Sequence, residues 1–278
     1  MDMSKDNQQI TKIILLGTGT PNALPSRYGT SIAILVRGQP YLFDFGSGIV
    51  RRLNGAKIDL KSIKTVFLTH LHTDHTIGYP DLIFTTWVKR RSTPLEVYGP
   101  PGLKHMTKHI LEAYKEDIRV RLDGLEPINE TGYNVNVYEI QPGIIFEDSN
   151  IKVKAFSVNH GLLEAFGFRI KTPDKVIVIS GDTAPCSDLV QHYSNCDVLI
   201  HEVYSAEAFN ELPETWKGYH RKMHTSTHEL GDIANKIKPK QLILYHQLFW
   251  GKSEEELVEE IKTRYDGEVI SGNDLDQF

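Results

Sequence analysis

The chain of 278 residues is long enough for one large domain or two small ones, and its 40% hydrophobic and 24% charged residues exclude long disorder. With 31 Lys and Arg against 36 Asp and Glu the formal charge is −5, so the surface as a whole is not the basic trap that holds nucleic acid nonspecifically. Cys186 and Cys196 cannot frame a disulfide scaffold and read as reduced thiols, which leaves the twelve histidines as the count that stands out.

The N-terminal residues 1–9 are polar, and the apolar run 13–16 stops at Gly17 before a signal-peptide core forms. No apolar run approaches the roughly 20 residues that span a bilayer. The expectation is a soluble, cytoplasmic protein. Short β-branched runs separated by turn residues predict strands over 12–16, 31–36, 41–45, 65–69 and 95–98, with helices over 47–53, 81–89 and 102–116 between them. The second half repeats the texture, with strands over 134–140, 151–158, 165–171, 175–180, 198–203 and 241–245 and helices over 187–193, 227–236 and 254–264. Ser226 followed by Glu229 forms a capping box that starts one of these helices and leaves His224 in the loop before it. No linker or low-complexity tract divides the halves, so the expected architecture is α/β: two sheets packed together with helices outside, in one domain spanning residues 1–278.

The most informative stretch is Thr65-Val66-Phe67-Leu68-Thr69-His70-Leu71-His72-Thr73-Asp74-His75, where an apolar strand runs into three imidazoles and a carboxylate. Residues i and i+2 of an extended segment point to one side, so His70 and His72 reach one ion, and a turn lets Asp74 and His75 face another. Nitrogen and oxygen donors without thiolate suit zinc, iron or manganese.

His-x-His-x-Asp-His after an apolar strand resembles the metallo-β-lactamase superfamily, as do Gly17-Thr18-Gly19-Thr20-Pro21, Phe43-Asp44-Phe45-Gly46, Ser157-Val158-Asn159-His160, Ser180-Gly181-Asp182-Thr183 and Leu244-Tyr245-His246. The resemblance implies a four-layer αβ/βα sandwich. It assigns His70, His72 and His160 to one divalent metal and Asp74, His75 and His246 to a second, with Asp182 bridging; zinc is the expected ion, manganese or iron the alternatives. Each of His160, Asp182 and His246 follows a predicted strand, the placement a rigid site needs.

Within the superfamily the chain resembles the ribonuclease Z branch through Val97-Tyr98-Gly99-Pro100, Glu164-Ala165-Phe166-Gly167-Phe168, His201-Glu202 and His224-Thr225-Ser226-Thr227. That branch uses the histidine of a His-Glu-Ala-Thr motif to help protonate the leaving group and a later histidine to contact the scissile phosphate, which implies His201 and His224 as catalytic residues beside Asp74. The first motif departs here, reading His201-Glu202-Val203-Tyr204. Bacterial members of the branch also carry a long tRNA-gripping arm between the positions of His160 and Asp182, whereas here residues 165–180 read as a plain hairpin turning at Pro173-Asp174. The missing arm and the acidic balance disfavour nucleic acid, whose binding needs several phosphate contacts.

The expected function is a metal-dependent hydrolase, dizinc, acting on a small phosphodiester, sulfate ester or related small-molecule ester. Alternatives are a tRNA 3′-processing endoribonuclease, a lactonase or β-lactamase, and a metal-containing sensor or scaffold without turnover; a homodimer is expected by family resemblance. Asp44 is a candidate to orient a ligating imidazole. Loops 21–28, 84–91, 204–223 and 247–251 are expected to frame the pocket, bringing Trp87, Trp216 and Trp250 to it. Lys89-Arg90-Arg91 reads as a solvated helix end, and His105, His109, His192, His220 and His228 as surface histidines.

Overall fold

The computed structural model describes residues 10–278. The first half builds β1 (Thr11–Gly17), β2 (Ser31–Val36), β3 (Gln39–Phe43), α1 (Ile49–Gly55), β4 (Thr65–Phe67), α2 (Thr73–Thr76), α3 (Tyr79–Val88), β5 (Leu95–Gly99), α4 (Leu103–Ala113), α5 (Lys115–Asp123) and β6 (Val135–Glu139). These six strands form one sheet in chain order, antiparallel through β1-β2-β3 and parallel through β3-β4-β5-β6.

The second half comprises β7 (Gly143–Glu147), β8 (Lys152–His160), β9 (Leu163–Lys171), β10 (Val176–Ile179), α6 (Leu189–Tyr193), β11 (Val198–Tyr204), α7 (Ala206–Phe209), α8 (Glu214–Met223), α9 (Thr227–Ile237), β12 (Gln241–Leu248), α10 (Glu254–Lys262) and β13 (Val269–Ser271). Its seven strands run in the order β13-β12-β11-β10-β9-β8-β7, parallel from β10 to β13. The hairpin joining β9 to β10 is tight: Lys171 pairs directly with Val176, so the short connection read from the sequence is present and no arm extends from it.

Alternation along each strand assembles the layers. On β1, Ile13 and Leu15 join Phe43, Phe67, Phe168 and Tyr245 between the sheets, whereas Ile14 and Leu16 face Leu53, Ile83 and Trp87 on the helical side. The second sheet is covered by α6, α9 and α10 through Leu189, Leu230, Ile233, Leu257 and Ile261. Strands buried on both faces read as continuous apolar runs, and the result is the four-layer αβ/βα sandwich. Among the described residues no helix is long and apolar enough to cross a membrane.

Three expectations change. Residues 102–116 do not form one helix, because the chain breaks at Tyr114 between α4 and α5. Arg91 is fully buried, donating to Thr86 Oγ1 and to the carbonyls of Ile83 and Thr93, so it is no solvated helix end. Trp87 lies in the helical core of the first half with its indole N–H on the Asn129 carbonyl, which removes residues 84–91 from the cleft.

Candidate metal centre and catalytic cleft

The cluster forms where parallel strands end, the edge at which open α/β sheets place their ligands. β3 delivers Asp44, β4 the loop of His70 to His75, β10 Asp182, and the antiparallel β8 carries His160 as its last residue. His246 differs from expectation, since it lies within β12 rather than after it. The β11–β12 register shifts there, with Glu202 opposite Tyr245 and Val203 opposite Gln247, and His246 adopts φ 45° as the bulged residue. The bulge turns its imidazole out of the ladder and toward the cluster.

Two donor sets result. His70 Nε2 lies 3.0 Å from His72 Nδ1, and His160 Nε2 lies 3.1 Å from the same atom. His246 Nε2 approaches Asp74 Oδ2 at 3.1 Å, with His75 Nε2 3.5 Å from that oxygen. Asp182 Oδ2 stands between the sets, 3.3 Å from His246, 3.5 Å from His75, 3.8 Å from His160 and 3.9 Å from His70. The structure therefore brings His70, His72, Asp74, His75, His160, Asp182 and His246 together, and their grouped donors can hold metal ions.

Neighbouring groups aim these side chains. Asp44, held at φ 60°, accepts the Thr69 N–H at 2.8 Å and the His75 Nδ1–H at 2.8 Å. His160 Nδ1 donates to the Met223 carbonyl at 2.8 Å, and His70 Nδ1 lies 3.0 Å from Thr69 Oγ1. Glycines allow the loops beneath to touch: a Cβ on Gly46 would stand 2.3 Å from the Gly29 carbonyl carbon and 2.5 Å from the Asp74 carbonyl oxygen.

Electrostatics follow from burial in a mixed cluster. Burial raises the Asp74 carboxyl, but His75 and His246 outweigh it and hold the group down at about 2. Asp182 is likewise held low against its own burial by His246 and His75. Burial opposes the charged form of His75, yet Asp182, Asp74 and Asp44 hold it well above its ordinary value, while burial pushes His160 down to about 4.

His201 does not reach this centre. It points with Leu199 and Val203 to the helical side of β11, where its Nδ1 donates to the Glu202 carbonyl at 2.6 Å and its Nε2 lies 3.2 Å from the Tyr193 hydroxyl. The catalytic role expected for it is corrected, because successive strand residues face opposite ways. Glu202 takes the site-facing position: its Oε1 accepts the N–H groups of Thr183 at 3.1 Å and Thr225 at 2.9 Å, and its Oε2 lies 3.4 Å from His224 Nδ1. His224 caps the C-terminus of α8 and lines the cleft.

The cleft above the cluster has a volume of about 490 Å³. Its floor is His72, Asp74, Asp182 and His246; its wall is Trp216, Tyr219 and His220 of α8 with Trp250. His220 thus belongs to the cleft rather than to the outer surface, and the signal for it was its spacing of four from His224 on a helix. His105 and His109 lie side by side on α4, away from the centre, with ring centroids 4.3 Å apart.

The chain is similar over most of its length to known proteins. It is 29% identical over 270 residues to a ribonuclease Z of Mycobacterium bovis, covering 95% of this chain and 96% of the relative. The metallo-β-lactamase fold protein YhfI from Bacillus subtilis superposes with a TM-score of 0.75 at 19% identity, covering 97% and 100% of the two chains. The human tRNase Z short form gives 0.73 at 24% identity, covering 96% and 98%. The family model described as anti-Pycsar protein Apyc1 matches residues 11–257. A ribonuclease Z-like member of the metallo-β-lactamase superfamily, the chain belongs to the anti-Pycsar protein Apyc1 family.

Proposed function

We propose that the protein is a binuclear metal-dependent hydrolase, one domain throughout, that cleaves small phosphodiesters with water. The observation that carries the reading is the pair of donor sets sharing Asp182 on the floor of the cleft. The residues fit the metals on chemical grounds: the donors are imidazole and carboxylate, and His75 Nε2 and Asp182 Oδ1 are buried without a hydrogen-bond partner. His70, His72 and His160 would hold one ion, Asp74, His75 and His246 the other, with Asp182 between them. Two divalent ions, zinc by preference, supply there the positive charge that polarises the ester and acidifies water.

The chain's own groups do the rest. Asp74, ionised at neutral pH, orients the attacking water and accepts from it. His224 faces the oxygen that departs; burial pushes its imidazole down to about 4 and pushes Glu202 well above the usual carboxylate range, so the proton starts on Glu202 and passes by His224, whose Nδ1 lies 3.4 Å from Glu202 Oε2. The second-layer contacts of Asp44, Thr69 and the Met223 carbonyl fix which imidazole nitrogen faces the ions.

A small substrate is supported by the cavity volume, the tight β9–β10 hairpin and the charge of −5. The names of the ribonuclease Z relatives support a phosphodiester bond as the one broken. A panel of bis(4-nitrophenyl) phosphate, 4-nitrophenyl sulfate, a lactone, a β-lactam and a precursor tRNA tests the reading. The expected result is turnover of the phosphodiester, reduced by about 10² or more after chelation or in Asp74→Ala. Equal rates in those controls, or preference for the lactone, the β-lactam or the tRNA, overturn it.

A further inference from the structure

The two sides of the centre differ. On one side a run of rings leads away from the metal ligands: His246 to His224 at 5.7 Å between centroids, His224 to His220 at 5.7 Å, and His220 to Trp250 at 4.6 Å and Trp216 at 5.7 Å. Trp250 is held in place, packing on Tyr204 at 5.4 Å within a cluster of Phe209 and Leu248, and its φ of 44° turns the loop so that it borders the cleft. Trp216 and Tyr219 pack edge to face at 5.8 Å and stand 54% and 42% exposed at the mouth, which leaves aromatic surface open to the cleft. On the other side, a groove of about 610 Å³ runs past Asp74 toward Leu24, Tyr28 and Ile77 and carries one ring, Tyr28, with the Arg52 guanidinium 4.8 Å over it. Asp74 borders both spaces, whereas His224 borders only the aromatic one.

We infer that the aromatic wall seats the planar, ring-bearing arm of an unsymmetrical phosphodiester, and that this arm is the one expelled while the other arm keeps the phosphate. The inference rests on the phosphodiesterase reading above and adds a direction to it. Water oxygen bonds to phosphorus, and the phosphorus–oxygen bond to the ring-bearing arm breaks. The electron pair stays on that oxygen, which takes up a proton on the His224 side and leaves as an alcohol; the proton lost by water passes by Asp74 to solvent. The products are the ring-bearing alcohol and the phosphate monoester of the smaller arm. Stacking on an aromatic face contributes enough to bias the orientation by about tenfold to a hundredfold.

Benzyl methyl phosphate tests the direction, because its two departing alkoxides are of nearly equal basicity. The metal-replete enzyme is expected to give benzyl alcohol and methyl phosphate in at least tenfold excess over methanol and benzyl phosphate, read by phosphorus NMR. Trp216→Ala should reduce that ratio toward unity and raise KM at least tenfold, whereas Trp216→Phe, which keeps a stacking face, should retain the preference. Benzyl phosphate as main product, an even mixture, or no hydrolysis by enzyme that turns over bis(4-nitrophenyl) phosphate would overturn the inference and leave the phosphodiesterase reading standing. Enzyme that hydrolyses neither diester removes both.

Discussion

Two non-glycine residues with positive φ, Asp44 at 60° beneath the His/Asp cluster and His246 at 45° within it, lie on opposite sheets. Strained backbone persists where surrounding contacts over-determine it, and here those contacts are the Asp44 hydrogen bonds and the bulged β11–β12 pairing. That His70, His72, Asp74 and His75 gather at one place was legible from their spacing, whereas the meeting of His160, Asp182 and His246 with them was legible only through the family resemblance. The choice between His201 and Glu202 was not legible, since every residue of β11 is buried and no apolar alternation marks which face looks to the site. The buried His201 carries its own consequence. Burial pushes it down to about 4 from an ordinary 6.5, so between those values the unfolded chain binds the extra proton and the folded chain does not. Stability from this group is present above pH 6.5 and is lost as pH falls through that window, by up to about 3 kcal/mol. Urea unfolding of metal-free protein from pH 7 to pH 4 should therefore show a shallower acid loss in His201→Gln than in the parent; parallel curves would contradict the buried, neutral imidazole.

Elements were readable in proportion to how far their own residues decide them. The capping box at Ser226 and Glu229 forms as expected, with Ser226 Oγ accepting the Glu229 N–H, and a second closes the start of α10 at Ser253 and Glu256. Ser226→Ala should cost about 1 kcal/mol in denaturant unfolding; an unchanged midpoint would show that the α9 start is held by packing instead. β7 escaped the sequence reading because it is an edge strand with exposed Ile144 in place of an alternating pattern, and β13 because it has only three residues. α8 escaped as well: apart from Gly218 and the buried Met223 its residues are polar or aromatic, and it packs by its C-terminus, where the Met223 carbonyl fixes His160. The same helix thus supplies the cleft wall and an orienting contact to the His/Asp cluster.

At the scale of the molecule, the order of the ligands required residues 70 to 246 to meet at one rim, and the two sheets do meet there around a common core. That convergence was legible from the motifs in chain order. The framing of the cleft was not, because Trp87 belongs to an apolar helix face whose partner sheet is specified elsewhere in the chain. The central claim is a binuclear centre bridged by Asp182, and metal stoichiometry tests it most directly. Protein stripped by chelation and dialysed against zinc should bind two ions per chain by elemental analysis, Asp182→Ala should bind fewer, and saturation at about 100 times Kd should add about 2.7 kcal/mol to unfolding stability for each ion bound. One ion or none in the parent chain, or two retained without Asp182, would contradict it.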